Sequence, residues 1–151
     1  MSAVFDITSQ IDDIKAEFPD YFRRPEALEK AKAVWRPECQ VNGCGVFVDG
    51  KEDIVACCGR AKAAVGVCRV RDCVFVHCCS FEYSLGGFGY APSVWSSAPH
   101  ESAEQAHLAG IEELLRRISG RGYPGDPPAA ASEQAALRSQ LENHIRQPSL
   151  F

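Results

Sequence analysis

The sequence predicts an α+β fold, with helices at both ends of the chain around an antiparallel sheet of four or five strands. Two observations carry that prediction. Nine of the twelve valines fall between Val41 and Val76, and no leucine occurs between Leu28 and Leu85. Branched side chains are restricted at χ1 and fit a pleated surface, so a valine-rich stretch stripped of leucine favours strands. On either side of it, apolar residues recur every three or four positions, the period of a helix buried on one face.

The elements follow in order. Ile7, Ile11, Ile14 and Phe18 are spaced 4-3-4, which predicts a first helix with Asp6 or Ser9 as N-cap and Pro19 as its stop. Pro25 suits the first position of a second helix, with Glu26 in its first turn. Leu28, Ala31 and Trp35 make its stripe, and Pro37 closes it. Strands are expected near 44–48 and 53–58, joined by Asp49-Gly50-Lys51-Glu52, whose Asp-Gly pair signals a hairpin turn. A third strand covers 64–70, and Arg71-Asp72 turns into a fourth over 73–84. Leu85-Gly86-Gly87-Phe88-Gly89 breaks the pattern before a short fifth strand over 90–95. The sheet is then an antiparallel meander.

A packed helix over 101–118 follows the sheet. Ser102 and Gln105 form its capping box, Ile111, Leu114, Leu115 and Ile118 its core-facing stripe, and Gly120 its C-terminal cap. Residues 119–132, SGRGYPGDPPAAAS, read as a linker. Ser132 can cap a last helix to about Arg146, with Leu137, Leu141 and Ile145 in a row that can pack back on the domain, the preferred reading, or pair with a partner helix. The expected organisation is an α+β domain over 1–120, a Pro/Gly-rich linker over 121–131, and an extended C-terminal arm over 132–151 made of a short helix and a peptide.

The net charge of −4, without a Lys/Arg block, argues against a broad phosphate-binding face and against direct sequence-specific nucleic-acid recognition. Any contact with DNA is expected to be indirect, through a partner. No apolar run approaches a membrane span, and the opening MSAVFDITSQIDD carries acids where a signal peptide carries bases. A cytoplasmic protein without a membrane partner is expected. Its eight cysteines should then be reduced thiols rather than a disulfide framework.

Those cysteines admit a zinc reading. Cys39 and Cys44 flank an Asn-Gly turn at knuckle-type spacing, Cys57 or Cys58 could face them, and a fourth ligand would come from Cys68, Cys73, His77 or Cys78. Adjacent strand cysteines point to opposite faces, so only one of Cys57 and Cys58 can serve. Cysteine also packs as a small hydrophobe, and the preferred expectation is no cofactor. A nucleophilic cysteine would need an imidazole from His77, His100 or His107 within hydrogen-bond reach, and no signature surrounds any cysteine. Gly86-Gly87-Phe88-Gly89-Tyr90 lacks the lysine and following helix of a phosphate loop, and reads as a hairpin or bulge. Phe81, Tyr83, Phe88, Tyr90 and Trp95 could form a base-stacking platform, but no basic residues interleave with them after Arg71, so core packing is preferred. Asp12-Asp13, Asp49 with Glu52-Asp53, and Glu112-Glu113 read as solvated helix faces and a turn.

The chain closes on Gln147-Pro148-Ser149-Leu150-Phe151. Leu150 and Phe151 are adjacent apolar anchors, Gln147 offers an amide that donates and accepts, and Pro148 biases the peptide toward extended conformations. A Gln-x-x-Leu-Phe pentapeptide resembles the motif by which bacterial replication and repair proteins dock on the DNA polymerase sliding clamp. The resemblance covers five residues. It implies the clamp as partner, with Gln147, Pro148, Leu150 and Phe151 as binding residues; the folded part would then contact another macromolecule, such as a second protein partner, or regulate the clamp's other clients. Residues 86–115, GGFGYAPSVWSSAPHESAEQAHLAGIEELL, look similar in style to small accessory proteins of phages and plasmids. The leading expectation is a non-enzymatic adaptor or regulator in replication, repair or mobile-element takeover. Its alternatives are an enzyme of nucleic-acid metabolism recruited by the same peptide, and a zinc-stabilised interaction module.

Overall fold

Residues 4–119 and 125–146 are described by the computed structural model, Val4 and Phe5 by their backbone alone. In chain order they form α1 (Val4–Glu17), a 3-10 turn (Tyr21–Arg23), α2 (Pro25–Trp35), β1 (Lys51–Cys58), β2 (Ala61–Arg71), β3 (Val74–Tyr83), β4 (Gly86–Gly89), α3 (Ala103–Arg117) and α4 (Pro128–Arg146). The strands make one four-stranded sheet in the order β1-β2-β3-β4. Two-residue connections join each successive pair, which only antiparallel neighbours permit. In the last pair Phe81 faces Phe88 and Tyr83 faces Gly86. The α+β class and the antiparallel meander are as the sequence predicts.

The sheet begins later than expected. Residues 44–48 form no extended strand. Instead the Asn42 side chain accepts hydrogen bonds from the Cys44 and Val46 amides at 2.9 and 3.0 Å, closing a tight hairpin whose Val41 bridges Phe47. Asp49 does not turn a hairpin either, because its carboxylate accepts from the Gln40 amide at 2.8 Å. The first sheet turn is at Gly59, in the left-handed region at φ 60°. The fifth strand at 90–95 is also absent. Ser93 Oγ accepts from the Trp95 and Ser96 amides and turns the chain there, leaving a single bridge between Val46 and Ser93. The glycine run expected to end the sheet instead supplies β4. A Cβ on Gly87 would lie 2.2 Å from the Phe81 carbonyl oxygen, so this pairing requires a residue without a side chain.

Two helix boundaries also move. Asp6 and Ser9 lie inside α1 rather than capping it. Helix α4 starts at Pro128, four residues before Ser132, with proline at the position where a missing N–H is harmless. The last residues of the expected linker are therefore helical.

The chain divides into two compact units. Among the described residues, the first holds 4–51, 67–77 and 91–106, and the second 52–66, 78–90, 107–119 and 125–146, so β2 and β3 contribute to both. The first is built on an apolar cluster of Ile7, Ile11, Ile14, Ala27, Ala31, Trp35, Phe47, Cys68, Val70, Val74, Val76, Val94 and Trp95. Trp35 is its centre: fully buried, edge-on to Phe47, and donating its indole N–H to the Val94 carbonyl at 3.0 Å. Burial of side chains of this size stabilises by about 1.5–3 kcal/mol each.

In the second unit, Ile111, Leu114 and Ile118 of the α3 segment and Leu137 and Leu141 of α4 are buried with Val55, Val65 and Phe81. Gly110 lets α3 approach β2 closely, since a Cβ there would lie 2.5 Å from Val65 Cγ1. Helix α4 closes the outer edge of β1. Gln140 accepts from the Cys57 amide at 3.0 Å and donates to the Cys57 carbonyl at 2.8 Å, and His144 Nε2 donates to the Val55 carbonyl at 2.8 Å. Those are the groups a further strand would use, so side chains stand in for a strand and cap the edge.

Candidate functional site

The four predicted binding residues, Gln147, Pro148, Leu150 and Phe151, lie outside the described residues. Helix α4 ends at Arg146, immediately before them.

The cysteines are scattered. Cys39, half-buried, sits beside the buried Cys68 thiol, while Cys44, Cys57 and Cys73 are exposed. Among the described residues no three His, Cys, Asp or Glu side chains gather as a ligand set, so Cys39 and Cys44 have no third ligand there. His77 and His100 do meet. The Nδ1 of one faces the Nε2 of the other at 3.0 Å, so one ring donates and the other accepts. Burial, and then the neighbouring His77, lower the His100 pKa. A two-way backbone bridge between Phe75 and His100 fixes the pair.

The second unit contains a polar cluster that the sequence hides. Glu113 was expected on a solvated face together with Glu112. Glu112 is exposed, but Glu113 is only 9% exposed. The helical period explains this: 113 follows 106 and 110 at seven and three residues, on the side of α3 that faces inward. Its carboxylate accepts the Tyr90 hydroxyl proton on one oxygen and the Arg117 Nε–H on the other, the latter at 2.8 Å. Burial, and then the Glu113 charge, push the Cys79 thiol up to about 12. Burial, and then the hydrogen bond to Glu113, raise the Tyr90 pKa. At neutral pH both groups keep their protons. This is chemistry suited to holding structure, since a nucleophilic cysteine needs a depressed pKa.

Beside this cluster is an open pocket of about 380 Å³ lined by Phe81, Tyr83, Gly87, Phe88 and Arg117. Phe81 stacks on Tyr83 and meets Phe88 edge-on, and the Arg117 guanidinium stands 4.7 Å over the Phe88 ring. The aromatic residues expected to form a platform or a core thus do gather in part, without Trp95. The missing basic residue comes from α3, where proximity in sequence could not reveal it.

The first unit has a second aromatic pocket, of about 310 Å³, which sequence reading missed. Tyr21, Phe22, Arg23, Arg24, Pro25, Leu28, Gly43, Cys44 and Trp95 line it. The rings of Tyr21 and Trp95 lie 4.8 Å apart, tilted by 47°. Trp95 is oriented by donating its indole N–H to the Cys44 carbonyl at 3.2 Å. Phe22 is 58% exposed. Two cations stand over ring faces: Lys15 Nζ lies 5.4 Å from the Tyr21 centroid and the Arg23 guanidinium 5.3 Å from that of Phe22. The available signal was Tyr-Phe-Arg-Arg between two prolines, an aromatic pair joined to a basic pair.

No helix among the described residues is long and apolar enough to cross a membrane. Comparison with protein-family models, with curated proteins and with solved structures gives no match.

Proposed function

We infer that this chain is a small adaptor that docks on the bacterial DNA polymerase sliding clamp through residues 147–151 and acts in the cytoplasm. The observation that carries the reading is the peptide itself: Gln147, Leu150 and Phe151 in the motif's spacing, with Pro148 limiting the ordering cost. The anchoring of α4 supports it. Leu137 and Leu141 are buried, and Gln140 and His144 bind the β1 edge, so the residue preceding the motif belongs to a held helix. A short peptide on a held helix engages a pocket without reorganisation of the folded units.

The expected outcome is specific. Leu150→Ala and Phe151→Ala each weaken clamp binding by about 2 kcal/mol, roughly thirtyfold. Gln147→Ala costs less, as a lost hydrogen bond, and Ser149→Ala has little effect. Polarisation or calorimetry with a purified bacterial clamp reads the series. Absence of measurable affinity for the intact chain at tens of micromolar ends the proposal.

A further inference from the structure

We propose that the pocket of the first unit is a binding site for single-stranded nucleic acid, taking one base against its aromatic wall and the adjoining phosphates on Arg23 and Lys15. Trp95 of the pocket belongs to the apolar core and Tyr21 and Leu28 pack against it, whereas Phe22 is left outside. Trp35, Phe47 and the valines complete the apolar cluster, yet Phe22 remains 58% exposed at the pocket rim. An aromatic ring left in water beside a finished core is a surface available for contact.

The charges around it agree. Among the described residues neither Lys15 nor Arg23 lies within ion-pair distance of a carboxylate, while Arg24 is partly neutralised by Asp20 at 3.2 Å. On a chain of net charge −4, this leaves a small positive spot at Tyr21 and Phe22. Arg23 over the exposed Phe22 ring and Lys15 over the half-buried Tyr21 ring form the kind of stacking-and-phosphate arrangement that single strands use. A volume of about 310 Å³ suits a base with its sugar. Gly43 leaves the wall open, since a Cβ there would meet nothing within 4 Å. An acidic peptide without an aromatic residue could satisfy the guanidinium but has no planar face for Phe22.

The occupant is therefore read through stacking and about two phosphates, without base-edge recognition. A pocket with so few cations predicts weak binding and a shallow salt dependence. With two phosphates neutralised, log K should fall against log salt with a slope of roughly −1.4.

The test is anisotropy of a fluorescein-labelled oligothymidylate of about twelve nucleotides, and of the matching oligouridylate, titrated with the full chain in low salt. Phe22 and Arg23 are exposed, so Phe22→Ala and Arg23→Ala should fold normally, as melting curves will verify. Each should weaken binding at least about fivefold. Arg117→Ala, in the other pocket, should bind as the parent does. The proposal is overturned if the parent shows no binding at about 200 μM, a generous ceiling for non-specific affinity. It is also overturned if either first-unit variant keeps parental affinity, if Arg117→Ala causes the same loss, or if an acidic peptide containing phenylalanine competes more strongly than the unlabelled oligonucleotide. Removing residues 147–151 should leave the affinity unchanged, which separates this proposal from clamp docking.

Discussion

The two compact units share strands β2 and β3 but treat polar groups in opposite ways. The core cluster of the first is wholly apolar, and its cations lie outside, over half-open rings. The second buries a carboxylate, Glu113, and a carboxamide, Gln134. A buried polar group must be matched or it destabilises. Glu113 is matched by Tyr90 and Arg117, whereas neither polar atom of Gln134 has a hydrogen-bond partner among the described residues. The contrast separates structural polarity from available polarity. In the second unit polar side chains are committed inward, and in the first the Lys15 and Arg23 charges remain open to a ligand.

Removing Glu113 is the strongest way to break that contrast. Glu113→Ala removes the buried acceptor of the Tyr90 hydroxyl and of the Arg117 Nε–H, while Tyr90 and Arg117, both partly exposed, recover hydration. The cost is expected at about 2 kcal/mol, as for lost hydrogen bonds to a charged group, and should lower Tm by roughly 4–8 °C. A shift within a degree would mean that the carboxylate is not structural. The same cluster predicts alkaline sensitivity. Folded Cys79 titrates at about 12 and Tyr90 is raised, so the unfolded chain loses those protons first. Stability is then intact below about pH 9 and falls as pH rises toward 12. Cys68 in the first unit, also pushed up to about 12 by burial, adds to the same limb. Tyr90→Phe combined with Cys79→Ala should flatten the limb more than Cys68→Ala does, as pH-dependent melting will show.

Gln134 allows a test of opposite sign. It continues the buried row of Ala130, Leu137 and Leu141 on α4 but contributes two unmatched polar atoms. Gln134→Leu should stabilise by about 1–2 kcal/mol, read by denaturant melts. A destabilised variant would show that the amide has a partner such as a buried water.

Legibility in the sequence followed the range of each signal. Helices written in local spacing are legible in place, although the starts of α1 and α4 lie earlier than their expected caps: Ile7, Ile11 and Ile14 are buried, and Ser102 Oγ accepts from the Gln105 amide at 3.1 Å. The start of the sheet was misread because Asp49-Gly50 and Asn42-Gly43 are competing turn signals. Which one turns depends on whether the acid is claimed by a distant amide, as Asp49 is by Gln40. The burial of Glu113 is hidden because a carboxylate beside a second carboxylate looks solvated, while one of its partners, Tyr90, lies 23 residues away. Arg117 over Phe88, and Trp95 beside Tyr21, are juxtapositions of distant segments that no local period encodes.

The smallest expected effect concerns how each unit satisfies the backbone of an exposed strand edge. In the first, Phe75 of β3 exchanges both backbone hydrogen bonds with His100, at 2.7 and 2.8 Å. In the second, the Gln140 side chain serves Cys57 of β1 at both its amide and its carbonyl. Side-chain substitution cannot remove the first arrangement but can remove the second. Gln140→Ala should cost about 1 kcal/mol, the net value of ordinary hydrogen bonds whose backbone partners become accessible to water. The consequence should be local. Hydrogen exchange of the Cys57 amide should speed up markedly, while that of Phe75 should stay slow. Because β1 would then present unpaired groups along its edge, the variant should also self-associate more readily at high concentration. Unchanged exchange at Cys57 would mean that other groups of α4 protect the edge, and that the side-chain closure is redundant.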